Sequence, residues 1–102
     1  MIHVLAEIQL HTDARDAFTA AFARLTPHVC AEAGCLEYQG AVEIATDIAA
    51  QAPVRDTVFT VIEKWRDEAA LVAHLVAPHM AEHRRQTSSM TLGTTIRILR
   101  SI

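Results

Sequence analysis

The sequence predicts an α+β domain of β-α-β-β-α-β order, the ferredoxin-like pattern in which helices cover one face of an antiparallel sheet. Three observations carry this. Four segments, one at each end of the chain and two in the middle, alternate apolar and polar residues with the period of a strand. Two further segments repeat apolar residues at the three- and four-residue spacing of a helix. The chain has 102 residues, 51% hydrophobic and 21% charged, which is enough for one core and too little for two. Residues 1–102 read as a single domain.

Strand one runs from Ile2 to Leu10, where Ile2, Val4, Ala6, Ile8 and Leu10 alternate with His3, Leu5, Glu7 and Gln9. Thr12 and Asp13 offer N-cap oxygens ahead of a helix whose apolar stripe is Phe18, Ala21, Phe22, Leu25 and Val29. Pro27 should kink or restart that helix, with Thr26 as a second cap, and Gly34 should stop it near Ala33. Strand two is Leu36 to Ala45, with Leu36, Tyr38, Val42 and Ile44 on one side and Gly40 marking a bulge or a close backbone approach. Thr46 to Asp56 lacks periodicity and reads as a long connection, after which strand three spans Thr57 to Trp65. Asp67 caps a short helix carrying Leu71, Val72, Leu75 and Val76. Pro78 opens a second helical piece that continues to about Met90, so this layer breaks at Ala77-Pro78. Gly93 terminates it, and Thr94 to Leu99, rich in Thr and Ile, forms strand four.

On strand three, Phe59, Val61 and Trp65 lie on one side and Val58 and Ile62 on the other, so both faces call for cover. A second sheet from an identical chain would supply it, which predicts a homodimer with two sheets packed face to face.

Charge and composition exclude several classes of function. The net charge is −3 and Lys64 is the single lysine, so no basic stripe faces a phosphate backbone and nucleic acid is not an expected partner. The longest uncharged apolar segment, Ala69 to Ala81, is interrupted by His74, Pro78 and His79 and falls short of the roughly 20 residues a bilayer requires, so no membrane association is expected. The start of the chain lacks the basic region of a signal peptide, and a cytoplasmic address follows. Cys30 and Cys35 match neither a CxxC redox pair nor a disulfide framework and read as reduced packing residues. No glycine-rich loop opens a helix, and Ser88, Ser89 and Ser101 come late with no nucleophile elbow. His79-Met80-Ala81-Glu82-His83 fits H-x-x-E-H, yet no Asp, Glu, His or Cys follows His83 to serve as a third ligand, so no metal is expected.

Three pieces of sequence carry a resemblance: Glu32-Ala33-Gly34-Cys35-Leu36-Glu37-Tyr38 at the entry to strand two, Glu63-Lys64-Trp65-Arg66-Asp67 at the end of strand three, and Leu71, His74, Pro78 and His79 beyond it. In this order they resemble the antibiotic biosynthesis monooxygenase domain family, which includes small quinol monooxygenases. The resemblance implies a ferredoxin-like dimer closing into an α/β barrel. It also implies oxygenation of an electron-rich aromatic or quinol with no cofactor, neither metal nor flavin. A related branch degrades haem with an asparagine on the first strand. Here that strand reads Ala6-Glu7-Ile8-Gln9 and the chain has no asparagine, which speaks against haem degradation by that arrangement.

In such chemistry the substrate supplies the electrons, because a deprotonated phenol or quinol can reduce oxygen by one electron and then trap it. The protein must supply a base and a dry pocket. His74 is the candidate general base: it shares the stripe of Leu71 and Leu75 and points toward the sheet. The alternative is a buried histidine bonded to a backbone carbonyl. Trp65 lies two residues after Glu63 on the same strand face, where an aromatic wall and a carboxylate could clamp a planar phenol, or where the indole could be a core residue with its N–H on Glu63. Glu63 is either unpaired with a raised pKa or ion-paired with an arginine such as Arg97. Tyr38, Phe22 and Phe59 complete the aromatic inventory of the pocket, with Phe18 set aside as too near its helix start. Met80, His83, Thr87 and Met90 fall in one arc, an unusually polar inner face that a cavity would explain; His83 would line it, with His79 at its edge.

The resulting expectation is a cofactor-independent monooxygenase for a quinol or polyphenolic aromatic, whose partners are a small aromatic substrate and molecular oxygen. Its rival is a non-catalytic dimeric protein that binds a small aromatic metabolite.

Overall fold

Four strands and three helices follow one another in the computed structural model, which describes all 102 residues: β1 (Ile2–Leu10), α1 (Arg15–Cys30), β2 (Cys35–Val42), β3 (Val58–Trp65), α2 (Glu68–Leu75), α3 (Pro78–Thr87) and β4 (Thr91–Arg100). The strands form one sheet in the order β2-β3-β1-β4, every neighbouring pair antiparallel. This is the α+β arrangement expected from the alternation of periods. No helix is long and apolar enough to cross a membrane.

The period-two pattern decides which side chains meet the helices. Val4, Ala6 and Leu10 of β1, Phe59, Val61, Glu63 and Trp65 of β3, and Tyr38 of β2 are all buried beneath the helices. The α1 stripe is the expected one, with Phe18, Ala21, Phe22, Leu25 and Val29 buried. Each large apolar side chain removed from water in this layer contributes about 1.5–3 kcal/mol.

Several boundaries differ from the sequence reading, each for a local reason. The N-cap of α1 is Ala14, with no side-chain cap bond, because a turn from His11 to Ala14 leaves Thr12 and Asp13 exposed ahead of the helix. Pro27 does not interrupt α1. It sits in the last turn, where only the Ala23 carbonyl loses its usual donor, and Thr26 Oγ1 donates back to the Phe22 carbonyl at 2.9 Å instead of capping a new helix. The helix ends at Cys30, and the chain reverses at Gly34, whose φ of +81° is a left-handed conformation. A Cβ there would lie 2.7 Å from the Ala70 Cβ, so the glycine also permits the approach of α2.

β2 begins with a register shift: Cys35 pairs with Trp65 and Glu37 with Lys64, leaving Leu36 between them and 56% exposed. Leu36 therefore does not share the buried side of Tyr38, and Ile44 lies exposed beyond the strand. Cys30 is exposed too, so of the two free thiols only Cys35 packs against the core.

The layer after β3 breaks where expected. Asp67 caps α2 by accepting from the Ala70 N–H at 2.8 Å, and Pro78 is at the start of α3. The buried residues of α2 are Ala70, Leu71 and His74, whereas Val72, Leu75 and Val76 are exposed. α3 stops at Thr87 rather than Met90, and Gly93 does not terminate it. β4 already begins at Thr91; Leu10 pairs with Thr91 and Gln9 with Gly93, so Leu92 is the bulged residue and Gly93 lies inside the strand.

The long connection between β2 and β3 is tied down by Arg55, whose Nη2 lies 2.7 Å from Glu7 Oε2 and 2.6 Å from Glu43 Oε2. Val58 is buried within the chain, while Ile62 on the same side of β3 is half-buried. Leu5 and Leu99, on the face away from the helices, are exposed.

Candidate functional site

Period-two geometry on β3 turns Glu63 and Trp65 to the same side, and antiparallel register sets Glu63 between Val4 of β1 and Tyr38 of β2. The Trp65 indole is fully buried, and its Nε1–H donates to Glu63 Oε1 at 2.9 Å. Glu63 itself is only 6% exposed. Burial raises its pKa to about 7; the Trp65 bond pulls the other way, and the nearby Glu32 charge adds to the rise. Arg97 does not pair with it. Arg97 stands opposite Leu5 in the β1–β4 register, on the face of the sheet away from the helices.

α2 lays His74 over this pair. The His74 ring, 2% exposed, is tilted over Trp65 with centroids 4.6 Å apart and meets Tyr38 edge-on at 5.5 Å. Its Nδ1 is 2.9 Å from Oε2 of Glu32, so its partner is a carboxylate and not the backbone carbonyl of the alternative reading. Its Nε2 is 4.0 Å from Glu63 Oε1, too far for a hydrogen bond. Burial lowers the His74 pKa, and the hydrogen bond to Glu32 opposes that effect.

Beside these groups lies a cavity of about 410 Å³, lined among others by Phe18, Phe22, Tyr38, Glu63, His74 and His83. The arc on α3 has the expected cause: Met80 and Thr87 are buried, and His83 also faces the cavity. His83 Nδ1 is buried with no hydrogen-bond partner, while the ring packs edge-on against Phe18 at 5.7 Å. Burial, then the charges of Arg84 and Arg24, lower its pKa. An unsatisfied buried nitrogen costs about 1–3 kcal/mol, which a ligand atom bonded to it would recover.

Five of the residues singled out from the sequence therefore meet at the cavity: Phe22, Tyr38, Glu63, His74 and His83. Three do not. Trp65 lies behind Glu63 and His74 and steadies both. Phe59 is clustered with Phe18 at 4.9 Å and Phe22 at 5.0 Å, and opens instead onto a groove of about 760 Å³ between α1 and β2. That larger groove contains no histidine, and Arg15 and Asp16 are its charged residues. His79 lies outside the cavity; its Nε2 is 2.7 Å from Glu32 Oε2 and its ring stacks on His28 at 6.0 Å. His79 and His83 both border a small pocket between α1 and α3, but only His79 joins Glu32 and His74, so the two do not form the paired ligands that H-x-x-E-H suggests.

Two residues were missed. Phe18 is a cavity wall, carried inward because α1 starts earlier than its buried stripe. Glu32 sits in the turn after α1, where no periodicity marks it; its only signal is its place at the head of the E-x-G-C-L-x-Y segment. Donor atoms of Glu32, His74 and His79 all lie within 4.8 Å of one another. The 2.7 and 2.9 Å contacts around one oxygen are hydrogen-bond lengths. Ligands around a zinc ion stand about 2.0–2.2 Å from the metal, and so farther apart than this when tetrahedral.

Residues 1–86 match the family described as antibiotic biosynthesis monooxygenase. The chain is 35% identical over 101 residues to the probable quinol monooxygenase YgiN of Escherichia coli K12, covering 97% of this chain and 96% of that one. Among solved structures it is similar to the Pseudomonas aeruginosa protein PA3566, with a TM-score of 0.80, 25% identity and coverage of 99% and 93% of the two chains. A conserved Methanosarcina mazei protein shares the fold, with a TM-score of 0.83 at 24% identity over 99% of this chain and 92% of that one.

Proposed function

Since this chain belongs to the antibiotic biosynthesis monooxygenase family, we propose that it oxygenates a quinol or related polyphenol without a cofactor, in the cavity beside His74 and Glu63. The observation that carries this reading is the 4.0 Å gap between His74 Nε2 and Glu63 Oε1 at the wall of an aromatic-lined cavity. A phenolic oxygen about 2.8 Å from each atom fits such a gap, and a general base there is worth about a hundred- to ten-thousandfold.

In this mechanism the neutral His74 accepts the phenol proton at Nε2. Glu63 in its acid form donates to the phenolate oxygen and offsets the charge that develops there; as a carboxylate it would repel that charge. The electron-rich ring gives one electron to oxygen and the radicals combine. One oxygen atom stays on the ring, the other leaves as water, and a hydroquinone becomes a hydroxyquinone. Phe22 and Tyr38, stacked at 5.3 Å, and Phe18 keep the site dry and hold a planar ring; His83 Nδ1 binds a second oxygen of the substrate. Trp65 acts through Glu63 and His74. We assign the protein to the cytoplasm as a homodimer, with the exposed Leu5 and Leu99 within the contact between sheets.

Oxygen uptake by the purified protein with reduced naphthoquinols and polyphenols, corrected for autoxidation, tests the reading. Turnover abolished in folded His74→Ala with ligand affinity largely retained supports a base. Binding without turnover in the wild type would establish the rival, a non-catalytic aromatic-binding protein.

A further inference from the structure

Glu32 lies outside the cavity and touches two histidines at once. Its Oε2 is 2.9 Å from Nδ1 of His74 and 2.7 Å from Nε2 of His79. An ionised carboxylate has no proton to give, so both ring nitrogens are the donors. That bond pattern assigns His74 the tautomer with its proton on Nδ1, leaving the lone pair of Nε2 toward Glu63.

We propose that Glu32 is the positioning residue of this site: it holds His74 in the tautomer able to accept a substrate proton and, through the oxygen shared with His79, ties the charge state of His74 to a histidine at the surface. Glu32 is 13% exposed, so its charge acts on His74 with little screening, while His79 is 27% exposed and in contact with water.

The surroundings of both rings are defined. His74 is faced by Glu32 from the α1–β2 turn, Tyr38 from β2, Glu63 from β3, and His79 and Arg84 from α3. His79 is faced by Glu32 and by His28 of α1, and the small pocket beside it is also lined by Arg24 of α1 and by Glu82 and His83 of α3. Within this set Glu32 favours the imidazolium of His74, whereas a proton on His79 offsets the Glu32 charge and opposes it. Removing Glu32 and removing His79 must therefore move His74 in opposite directions. A merely structural tie between the turn and the helices would not produce opposite signs.

The inference rests on the reading of His74 as a base, but its test needs no substrate. Imidazole nitrogen NMR of the whole protein between pH 4 and 8 reads tautomer and titration midpoint together. The expected wild-type spectrum shows neutral His74 protonated on Nδ1. Glu32→Gln lowers the His74 midpoint by half a pH unit or more and mixes the tautomers, while His79→Ala raises the midpoint and leaves the tautomer unchanged. A wild-type His74 protonated on Nε2, or a midpoint that fails to rise in His79→Ala, overturns the proposal. The second criterion stands even should Glu32→Gln not fold. Absence of oxygen uptake with every substrate would count against the oxygenase while leaving these spectra as they are.

Discussion

Trp65 holds Glu63 from behind: the indole Nε1–H donates to Glu63 Oε1 at 2.9 Å, and both side chains are buried on the helix side of β3. The bond favours the carboxylate, but burial outweighs it and holds the Glu63 pKa at about 7, against an ordinary value of 4.5. Between those values the folded chain binds more protons at Glu63 than the unfolded chain does, so stability falls as pH rises from about 4.5 through about 7.

Glu63→Gln keeps an acceptor for the indole and removes that dependence. It should stabilise the fold by about 2–3 kcal/mol at pH 8 and have little effect near pH 4. Urea unfolding at the two pH values checks this. An equal change at both would mean that Glu63 is not held near neutrality.

The two groups flanking the substrate gap also limit activity from opposite sides. His74 must be neutral to act as a base, and its lowered pKa puts the acid limb below the usual histidine range. Glu63 must be protonated to donate, so the alkaline limb should fall near 7. A narrow bell-shaped profile of kcat/KM is expected, and Glu63→Gln, whose amide still donates, should flatten the alkaline side alone.

His83 gives a different pattern. Its buried Nδ1 has no partner, so His83→Phe removes an unsatisfied nitrogen and should leave stability unchanged or slightly higher. The same change removes a bond to the ligand and should weaken binding of a naphthoquinol about tenfold, corresponding to about 1.4 kcal/mol. Thermal unfolding and fluorescence titration of one preparation separate the two effects.

The two strand glycines should respond oppositely to alanine. At Gly40 a Cβ would lie 2.3 Å from Phe59 Cζ and 3.1 Å from Phe22 Cε1, in the middle of the aromatic cluster. Gly40→Ala should cost about 1–3 kcal/mol by overpacking. At Gly93 a Cβ meets nothing within 4 Å, so Gly93→Ala should be neutral or mildly stabilising. Chemical denaturation of both variants makes the comparison.

Much of the site was legible because it sits on periodic elements. The i, i+2 relation of Glu63 and Trp65 follows from strand pleating, the place of His74 follows from the stripe with Leu71, and the break after α2 follows from Pro78. Glu32 was not legible, since a turn residue has no periodicity and its partners lie 42 and 47 positions away. Bulges defeated the reading elsewhere. The register shift at Leu36 exposes a residue that alternation would bury, and the one at Leu92 lengthens β4 past the glycine that was expected to precede it. The exposure of Val72 and Val76 has a simpler cause: α2 has only eight residues and turns one narrow face, Ala70, Leu71 and His74, to the sheet.

The interruption between Leu75 and Pro78 also decides what five residues of separation can mean. On an unbroken helix His74 and His79 would stand about 140° apart around the axis and could not both meet one carboxylate. The extended backbone at Ala77 resets that phase, and α3 starts afresh with His79 turned back toward its neighbour. Pro78 thus acts as a rotational spacer for two imidazoles. A one-residue insertion or deletion at this joint would separate the pair while leaving both helices intact.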